Sequence, residues 1–344
     1  MKGNLLQHLR CTTCQGNLAW HAYSNHNKDE IKDGIAWCES CKNWYPIEDS
    51  LLELLPPNLA YHDDRKRFFE KYRADMENRG LIVAADQEKD SSVEMQLKQQ
   101  EHFDWYSQNE NQSYNDYEHL PFWEAVDLVT FADWRKRVKP NTWMLDIGCA
   151  QGRSAFKFMD MPINIVGFDI SKPAIRQAIQ RYRAGQYKAD AIFFCADGSN
   201  LPFTPNTFDY VLIYGVLHHL PDPGHTCKQI ADILKPNGIY FGSENNETIL
   251  RTLFDLLMKI KPLWFEEAGA EPLISAKQFR EWFANTSVNI KTNTHVFLPP
   301  HLINLLGHRL GLQFLRFSDA LGRVLPFLRK HGGLIQCYGT KQIK

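Results

Sequence analysis

The chain has 344 residues, 44% of them apolar, and its 39 basic residues stand against 40 acidic ones, giving a formal net charge of −1. This composition supports a sizeable core in more than one domain. It lacks the basic excess of a protein that holds nucleic acid through its phosphates, and no apolar run reaches the roughly 18 residues of a membrane span. We therefore expect a soluble, cytoplasmic, two-part enzyme.

Four cysteines near the N-terminus form two Cys-x-x-Cys pairs. Cys11 and Cys14 make the first pair, and Cys38 and Cys41 make the second. Four thiolates at such spacing are typical of a structural, tetrahedral Zn²⁺ site with no open position for a substrate. Disulfides would instead require an oxidising compartment, and no apolar signal segment precedes Cys11. The sequence predicts a zinc ribbon with structural Zn²⁺ as a cofactor.

The ribbon, residues 1–57, resembles the small zinc-ribbon proteins that activate tRNA methyltransferases, and its ending YPIEDSLLELLP at 45–56 supports the resemblance. The resemblance implies RNA as one class of substrate. Within 1–57, however, five basic side chains stand against seven acidic ones, whereas a phosphate-binding module needs an electropositive face. We expect the ribbon to pack on, or dock to, the rest of the chain, and we do not expect nucleic acid as a partner.

Two segments of different character follow the ribbon. Residues 58–101 are strongly polar, and 61–79 has the pattern of a charged helix, so a charged helical linker is predicted. Residues 102–139 mix aromatic side chains with Asn and Gln before a helical stretch. Three tyrosines there either line the mouth of a site or belong to a packed helix: Tyr106, Tyr114 and Tyr117.

A buried strand that runs into a glycine turn is the most informative feature of the sequence. WMLDI at 143–147 is an apolar run interrupted by Asp146, which is typical of a buried parallel strand. Gly148 and Gly152 follow, and they allow the backbone to approach a ligand closely. We expect the next helix to point its first N–H groups at the same crevice.

Acidic residues also end the next two predicted strands. Asp169 lies at the end of the strand at 163–171, where nucleotide-binding crossovers commonly hold a ribose, and Asp197 lies in the strand at 193–203. Each acid could merely cap a turn, but three in succession favour a nucleotide-like ligand. Two more strands are predicted, separated by helical patterns, at 208–223 and 233–245.

Over residues 140–245, these motifs resemble the class I S-adenosylmethionine-dependent methyltransferases, especially those that act on quinones and small molecules. The resemblance implies an α/β fold with a Rossmann-like seven-stranded sheet, and S-adenosylmethionine as cofactor. The family turn is usually acid-x-Gly-x-Gly-x-Gly, and here Ala150 replaces the middle glycine. NAD binding would need Gly-x-Gly-x-x-Gly, which this turn does not supply.

The resemblance also assigns site residues. It places Asp146, Gly148, Ala150 and Gly152 at the methionine end of the cofactor, and Asp169 and Ile170 at the ribose and adenine. It places Asp197 and Gly198 at the adenine amine, and Tyr214 beside the end of the fourth strand. For the chemical step, His219 and then His218 are the candidate bases, because both follow the fourth strand and histidine titrates near neutral pH. Alternatively, either histidine caps the loop or contacts the cofactor without acting as a base.

Helices are predicted at 248–269 and 274–286, and strands at 289–300 and 332–342. The resemblance implies that the last strands form an antiparallel hairpin. Within the insertion at 301–331, a basic residue recurs every seven positions among Leu and Phe: Arg309, Arg316, Arg323 and Lys330. Such a stripe is typical of a helix at an anionic membrane surface or on an acidic partner, and the alternative is a cap over the site with a solvated face. Four residues that would interrupt a continuous helix favour the cap: Gly307, Gly311, Gly322 and Pro326.

The predicted organisation is a zinc ribbon at 1–57, a charged helical linker at 58–101 and a methyltransferase domain at 102–344. The domain has its core at 140–245 and a helical insertion at about 301–331. We expect a cytoplasmic methyltransferase, peripheral at the membrane if the insertion binds lipid, that acts on a small-molecule or lipid-like acceptor. A tRNA or rRNA methyltransferase is the first alternative. A non-catalytic adapter is the second, although the retained strand-end acids count against it.

Overall fold

A computed structural model describes residues 1, 3–27, 30–82, 93–108, 118–263 and 272–343. Its strands are β1 Leu18–Asn27, β2 Glu30–Cys38, β3 Trp44–Glu48, β4 Leu51–Leu54, β5 Trp143–Ile147, β6 Asn164–Asp169, β7 Asp190–Ala196, β8 Phe208–Tyr214, β9 Leu234–Asn245, β10 Val288–His295 and β11 Leu334–Lys341. Its helices are α1 Gly3–Leu6, α2 His62–Lys71, α3 Arg73–Asn78, α4 Glu94–Gln108, α5 Pro121–Arg135, α6 Lys172–Ala184, α7 Pro223–Ile233, α8 Ile249–Ile260, α9 Ala276–Phe283 and α10 Pro300–Val324.

The strands form one sheet in the order β1-β2-β3-β4-β7-β6-β5-β8-β9-β11-β10. β5 is central and parallel to both of its neighbours, because its side chains alternate between two apolar cores, with Leu145 and Ile147 in one and Met144 in the other. β11 runs antiparallel between β9 and β10, as an antiparallel final hairpin requires. The predicted α/β class with a Rossmann-like core is confirmed, but the seven strands are part of a sheet of eleven.

The four extra strands come from the ribbon. β4 pairs in parallel with β7, so that Glu53 lies opposite Cys195 and Leu54 lies opposite Ala196. A second, isolated bridge joins Leu9 to Phe203. The ribbon therefore extends the central sheet and covers the β7 edge, which would otherwise expose unpaired backbone groups.

A buried ionic cluster fixes this junction. Glu53 on β4 accepts hydrogen bonds from Arg65 Nε at 2.8 Å and from Lys172 Nζ at 2.9 Å. Lys172, the first residue of α6, also lies 2.6 Å from Asp64 Oδ2. Glu53, Arg65 and Lys172 are all buried. Two positive and two negative side chains balance one another there, which is the condition under which buried charges are tolerated.

The predicted linker, 58–101, contains α2, α3 and the beginning of α4. Phe68 and Phe69 of α2 pack with Ile35 and Trp44 of the ribbon in one apolar cluster. The predicted boundary between residues 101 and 102 falls inside α4. This segment thus connects the ribbon to α4, a helix that lines the central cavity.

One local expectation was wrong and another held only in part. Only a short 3₁₀ helix, Ala155–Phe158, follows the glycine turn instead of an α-helix, because few residues separate the turn from Pro162 and β6. In α10, Gly307 does leave the helical conformation, with φ of 72°, and the helix ends at Val324, before Pro326. Gly311 and Gly322 stay helical, and a Cβ on them would lie 2.8 Å from the Ile303 carbonyl oxygen and 2.4 Å from the Phe297 ring. These two glycines permit close packing and do not break the helix.

Among the described residues, none of the helices combines the length and the hydropathy that a bilayer crossing needs.

Lys172→Met should lower the free energy of unfolding by about 3 kcal/mol, because it leaves buried carboxylates without a counter-charge. The measurement is equilibrium urea denaturation. Lys98→Met is the matched control, since Lys98 makes an exposed ion pair with Glu94 and its loss should leave the midpoint unchanged. Equal midpoints for the two variants would contradict the proposed role of the buried cluster.

Candidate active site

A cavity of about 220 Å³ opens at the carboxyl ends of the central parallel strands. α4 contributes one wall, including Phe103 and Tyr106, and the start of α5 contributes Trp123. The cavity brings together most of the residues predicted from the sequence: Gly148, Ala150, Asp169, Ile170, Asp197, Gly198, Tyr214, His218 and His219. Asp146 and Gly152 are not among its lining residues.

The turn after β5 has an unusual backbone. Gly148 has φ of 69°, and a Cβ on it would lie 2.5 Å from Val216 Cγ2, so only glycine fits. Gly152 has φ of 88° and Ala150 has φ of 45°, although alanine rarely adopts this left-handed region. The Ala150 N–H donates a hydrogen bond of 2.9 Å to Asp169 Oδ2, which holds the unfavourable conformation. Ala150 therefore adopts a backbone conformation that glycine reaches more easily, at the position where the family usually has glycine.

Asp169 joins this turn to the beginning of α6. Its Oδ2 accepts from Ala150, and its Oδ1 accepts from the Ser171 N–H at 2.9 Å. Burial raises the pKa of Asp169 to about 6, against the lowering effect of these backbone donors. Each carboxylate oxygen has a second lone pair, so Asp169 can also accept hydrogen bonds from ligand hydroxyls.

Asp197 and Gly198 form the neighbouring wall at the end of β7. Asp197 Oδ1 accepts a hydrogen bond of 3.0 Å from the Ser199 N–H, and burial raises the Asp197 pKa. A Cβ on Gly198 would lie 3.3 Å from Leu220, so a larger residue would narrow the cavity. These residues offer a carboxylate and exposed backbone to a flat ligand.

Asp146 lies behind the turn, with 1% of its surface exposed. Its carboxylate faces the Ala155 backbone, but in a geometry too poor for a regular hydrogen bond. Burial raises the Asp146 pKa well above its usual range, the Ala155 backbone opposes this shift, and the nearby Asp169 charge adds to it. Within the cavity itself, the Asp169 and Asp197 carboxylates beside a turn that admits no side chain at Gly148 fit a polar, nucleotide-like ligand. The residues present are thus compatible with S-adenosylmethionine.

The two histidines occupy different environments. His218 Nδ1 lies 2.6 Å from Glu244 Oε2, and the other carboxylate oxygen of Glu244 accepts from the backbone N–H groups of Val216 and Leu217. His219 has no such acid. Burial, followed by the fields of His218 and His102, lowers the His219 pKa well below its usual value. His219 also packs edge-on against Phe103, at 5.4 Å between ring centres.

Glu244, at the end of β9, was missed in the sequence analysis. Its signal was available, because it is a further acidic residue at the end of a predicted strand. Asp127 on α5 was also missed, and it gave no comparable signal inside a helical pattern. Its carboxylate accepts from Tyr214 Oη at 3.0 Å and from Arg153 Nη2 at 2.9 Å. This buried contact fixes the Tyr214 side of the cavity.

α4 lies beside the beginning of α6, next to Asp169. Tyr61 Oη donates to Asp104 on α4, and Ser171 Oγ donates to the same carboxylate at 2.7 Å. Tyr106 is buried on a packed helix and also lines the cavity. Tyr114 and Tyr117 lie outside the described residues.

The four N-terminal cysteines form a second site, and none of them lines the cavity. Their Sγ atoms lie within 4.8 Å of one another. The two pairs have the same backbone turn, in which Gln15 N–H donates to Cys11 O and Lys42 N–H donates to Cys38 O, both with φ near 60°. Four thiols converging from two equivalent turns fit a tetrahedral ion with thiolate ligands.

Comparison with known proteins agrees with this geometry. A family described as "Methyltransferase domain" matches residues 145–242. The chain is 33% identical, over 43% of its own length and 67% of the relative's, to a demethylmenaquinone methyltransferase of Corynebacterium urealyticum. The chain belongs to the class I S-adenosylmethionine-dependent methyltransferases. The matched residues include the strands whose carboxyl ends border the cavity. They do not include the Cys₄ ribbon, which is an addition to the methyltransferase core.

Other relatives match shorter stretches of the methyltransferase domain. A 27-O-demethylrifamycin SV methyltransferase of Amycolatopsis mediterranei is 35% identical over 28% of this chain and 35% of its own length. A tRNA U34 carboxymethyltransferase of Aliarcobacter butzleri is 30% identical over 34% of this chain and 41% of its own length. The chain thus spans less than half the length of these two curated relatives, which differ from each other in their substrates.

Proposed function

We propose that this protein transfers a methyl group from S-adenosylmethionine to a small, apolar or lipid-like acceptor. One observation carries the proposal: the family's nucleotide-binding acids, Asp169 and Asp197, share a cavity with a histidine–glutamate pair, His218 and Glu244. Nucleotide binding and proton removal are the two functions that such a reaction needs from the protein.

The cofactor, when bound, supplies a methyl group on a sulfonium with a neutral thioether as leaving group. Asp169 would accept hydrogen bonds from its ribose hydroxyls, and Asp197 and Gly198 would hold the adenine. The turn from Gly148 to Ala150 would border the methionine portion, with Asp146 behind this turn. The protein mainly aligns the reacting groups, because a positive, well-activated donor needs little further chemistry.

His218 acts as the base. A carboxylate can only accept, so Nδ1–H donates to Glu244 and Nε2 carries the lone pair that takes the acceptor's proton. Glu244 then stabilises the imidazolium. His219, whose pKa is low, remains neutral and forms part of the wall. This assignment places His218 ahead of His219, the reverse of the order expected from the sequence.

Much of the cavity wall is apolar. Its apolar lining residues include Phe103, Tyr106, Trp123, Val216 and Leu334. Such walls favour an apolar molecule with one nucleophilic group over a polar or phosphate-rich one. The named substrates of two relatives, a rifamycin and a demethylmenaquinone, belong to the small-molecule class.

RNA methylation is the second candidate, favoured by the tRNA-specific relative and opposed by the acidic ribbon. Incubation with methyl-labelled S-adenosylmethionine and a cell extract, followed by separation into organic-soluble material and RNA, distinguishes the two. We expect label in the organic fraction. Label in RNA would favour the second candidate, and label in neither fraction would favour a non-catalytic adapter.

The affinity for S-adenosylmethionine should fall about tenfold between pH 7 and pH 5, because Asp169, with its pKa of about 6, loses acceptor capacity on protonation. Isothermal titration calorimetry measures the affinity. Asp169→Asn should bind weakly at both pH values, and Asp160→Asn, at an exposed ion pair, should behave as the wild type does. An unchanged pH dependence in Asp169→Asn would count against the ribose role.

His218→Ala should lower the rate of methyl transfer about 10²-fold or more while leaving the dissociation constant of S-adenosylmethionine unchanged. Glu244→Gln should cause a smaller loss and shift the pH–rate profile, because the amide holds His218 but does not stabilise its cation. His219→Ala is the matched control, with a smaller effect on the rate. A larger loss for His219→Ala than for His218→Ala would reverse the assignment.

We also propose that the Cys₄ site binds structural Zn²⁺. Purified protein should contain about one zinc per chain, and Cys14→Ser, at an exposed thiol, should lose the metal and lower the thermal midpoint. Elemental analysis and scanning calorimetry measure these changes. Thr13→Ala, beside the same turn, should keep the metal. Full stability of metal-free protein would contradict a structural role.

A further inference from the structure

We propose that α8 and α10 bind the surface of an anionic lipid bilayer and that the methyl acceptor enters the cavity from that side. The second part rests on the proposed function, and the first does not. The docking face is defined here as two exposed rows of apolar side chains. Its α8 row is Ile249, Leu253, Leu256 and Ile260, and its α10 row is Leu310, Phe314, Phe317, Leu321 and Val324.

Each row follows the period of a helix, with steps of four and three residues, and therefore lies along one side of its helix. Ile249 is 79% exposed, Ile260 is 73%, Phe317 is 68% and Val324 is 76%. Nine large apolar side chains are therefore exposed in two rows, one on each helix, and a soluble protein seldom leaves so many uncovered.

The buried sides of both helices are already occupied. Phe254 of α8 and Ile303 and Leu315 of α10 pack in one apolar cluster with residues of α5. The ends of the helices also meet, since His301 Nε2 lies 2.7 Å from the Lys261 carbonyl oxygen. The exposed rows are thus a second apolar side on each helix, beyond what the core requires.

Cations border the α10 row. Arg309, Arg316 and Arg323 each directly precede a member of that row, and all three are exposed. Arg329 and Lys330 follow and are exposed as well. The single acidic residue at 300–331, Asp319, is buried, where its Oδ1 accepts from the Val296 N–H. Glu124 of α5 is exposed beside α10, where it pairs with His308. An apolar row with a basic margin and no exposed acid of its own segment is complementary to an anionic bilayer.

The same charges disfavour a second copy of the chain as the occupant. A two-fold interface would bring each arginine row close to its own symmetry mate, with no exposed acidic residue in 300–331 to compensate. Lipid headgroups supply the missing negative charge over a whole plane, and the acyl region accepts Phe317 and its neighbours without requiring a shaped partner.

A narrow crevice lies beside the cavity and shares part of its wall. It lies between α5, α8 and α10 and is lined by Phe122, Phe254, Met258 and Pro300, among others. Trp123, Arg251 and Leu334 line both the crevice and the cavity. At about 10 Å³ the crevice now has room for no more than one water, so entry of an apolar tail requires α8 and α10 to move apart at the bilayer. The acceptor class is therefore a bilayer-resident molecule with an apolar tail and one methylatable head.

Vesicle flotation of the full-length, metal-replete protein tests the docking face. We expect at least about tenfold stronger binding to phosphatidylcholine vesicles that contain phosphatidylglycerol than to phosphatidylcholine alone, with binding reduced by salt. Phe317→Glu should weaken binding about tenfold or more, and so should Arg309→Glu combined with Arg316→Glu. Controls of the same chemistry elsewhere, Ile343→Glu and Lys277→Glu, should bind as the wild type does, since both residues are exposed.

Equal binding to both vesicle types, or unchanged binding of Phe317→Glu, would overturn the docking proposal. A lipid-free dimer of the wild type that Phe317→Glu dissociates in size-exclusion chromatography would also overturn it, in favour of self-association. Circular dichroism establishes that each variant is folded.

The entry of the acceptor is tested by transfer of labelled methyl groups to membrane lipids in intact vesicles and in detergent solution. Phe317→Glu should lose transfer in vesicles and keep both transfer in detergent and the affinity for S-adenosylmethionine. Equal losses in vesicles and detergent would overturn entry from the membrane. Flotation without any binding of S-adenosylmethionine would leave docking intact and refute the proposed function, so the two failures are distinguishable.

Discussion

The buried carboxylate of Glu53 is the interaction on which the rest of the arrangement depends. It lies on the last ribbon strand and is paired with Arg65 of α2 and Lys172 of α6. Ser171 precedes Lys172, and its N–H orients Asp169. A continuous chain of short contacts therefore leads from the edge of the sheet to the carboxylate assigned to the cofactor ribose. Because an unpaired charge in this position would be costly, the ribbon, α2 and α6 must assemble together.

The cavity separates similar side chains by their surroundings. Asp169, with two backbone donors, and Asp146, with none from the described chain in hydrogen-bonding geometry, are both buried yet differ in what they can offer a ligand. His218 and His219 are neighbours, but only His218 has a carboxylate behind it. Division of work between adjacent groups of the same type is a common property of enzyme active sites, where burial and hydrogen bonds determine which group titrates.

Much of the core could be predicted from the sequence, because local patterns determine it. The apolar run at 143–147 coincides with β5, and the acidic residues at 169 and 197 do line one cavity. The junction between β4 and β7 could not be predicted, since strand pairing joins residues distant in sequence. Nor could the role of Gly311 and Gly322, where Ile303 and Phe297 leave no room for a Cβ. Our proposal of His218 rather than His219 as the base rests on burial and partners, which spacing does not reveal.

Covalent attachment of the ribbon to the sheet it extends has a thermodynamic consequence. β4 and β7 belong to a single polypeptide. The effective concentration of β4 at the β7 edge is therefore on the order of millimolar, whatever the amount of protein in the cell. A separate subunit would dissociate on dilution and would have to be synthesised in matching quantity. Here the stoichiometry is fixed at translation, and the edge of the sheet stays covered even when the protein is scarce.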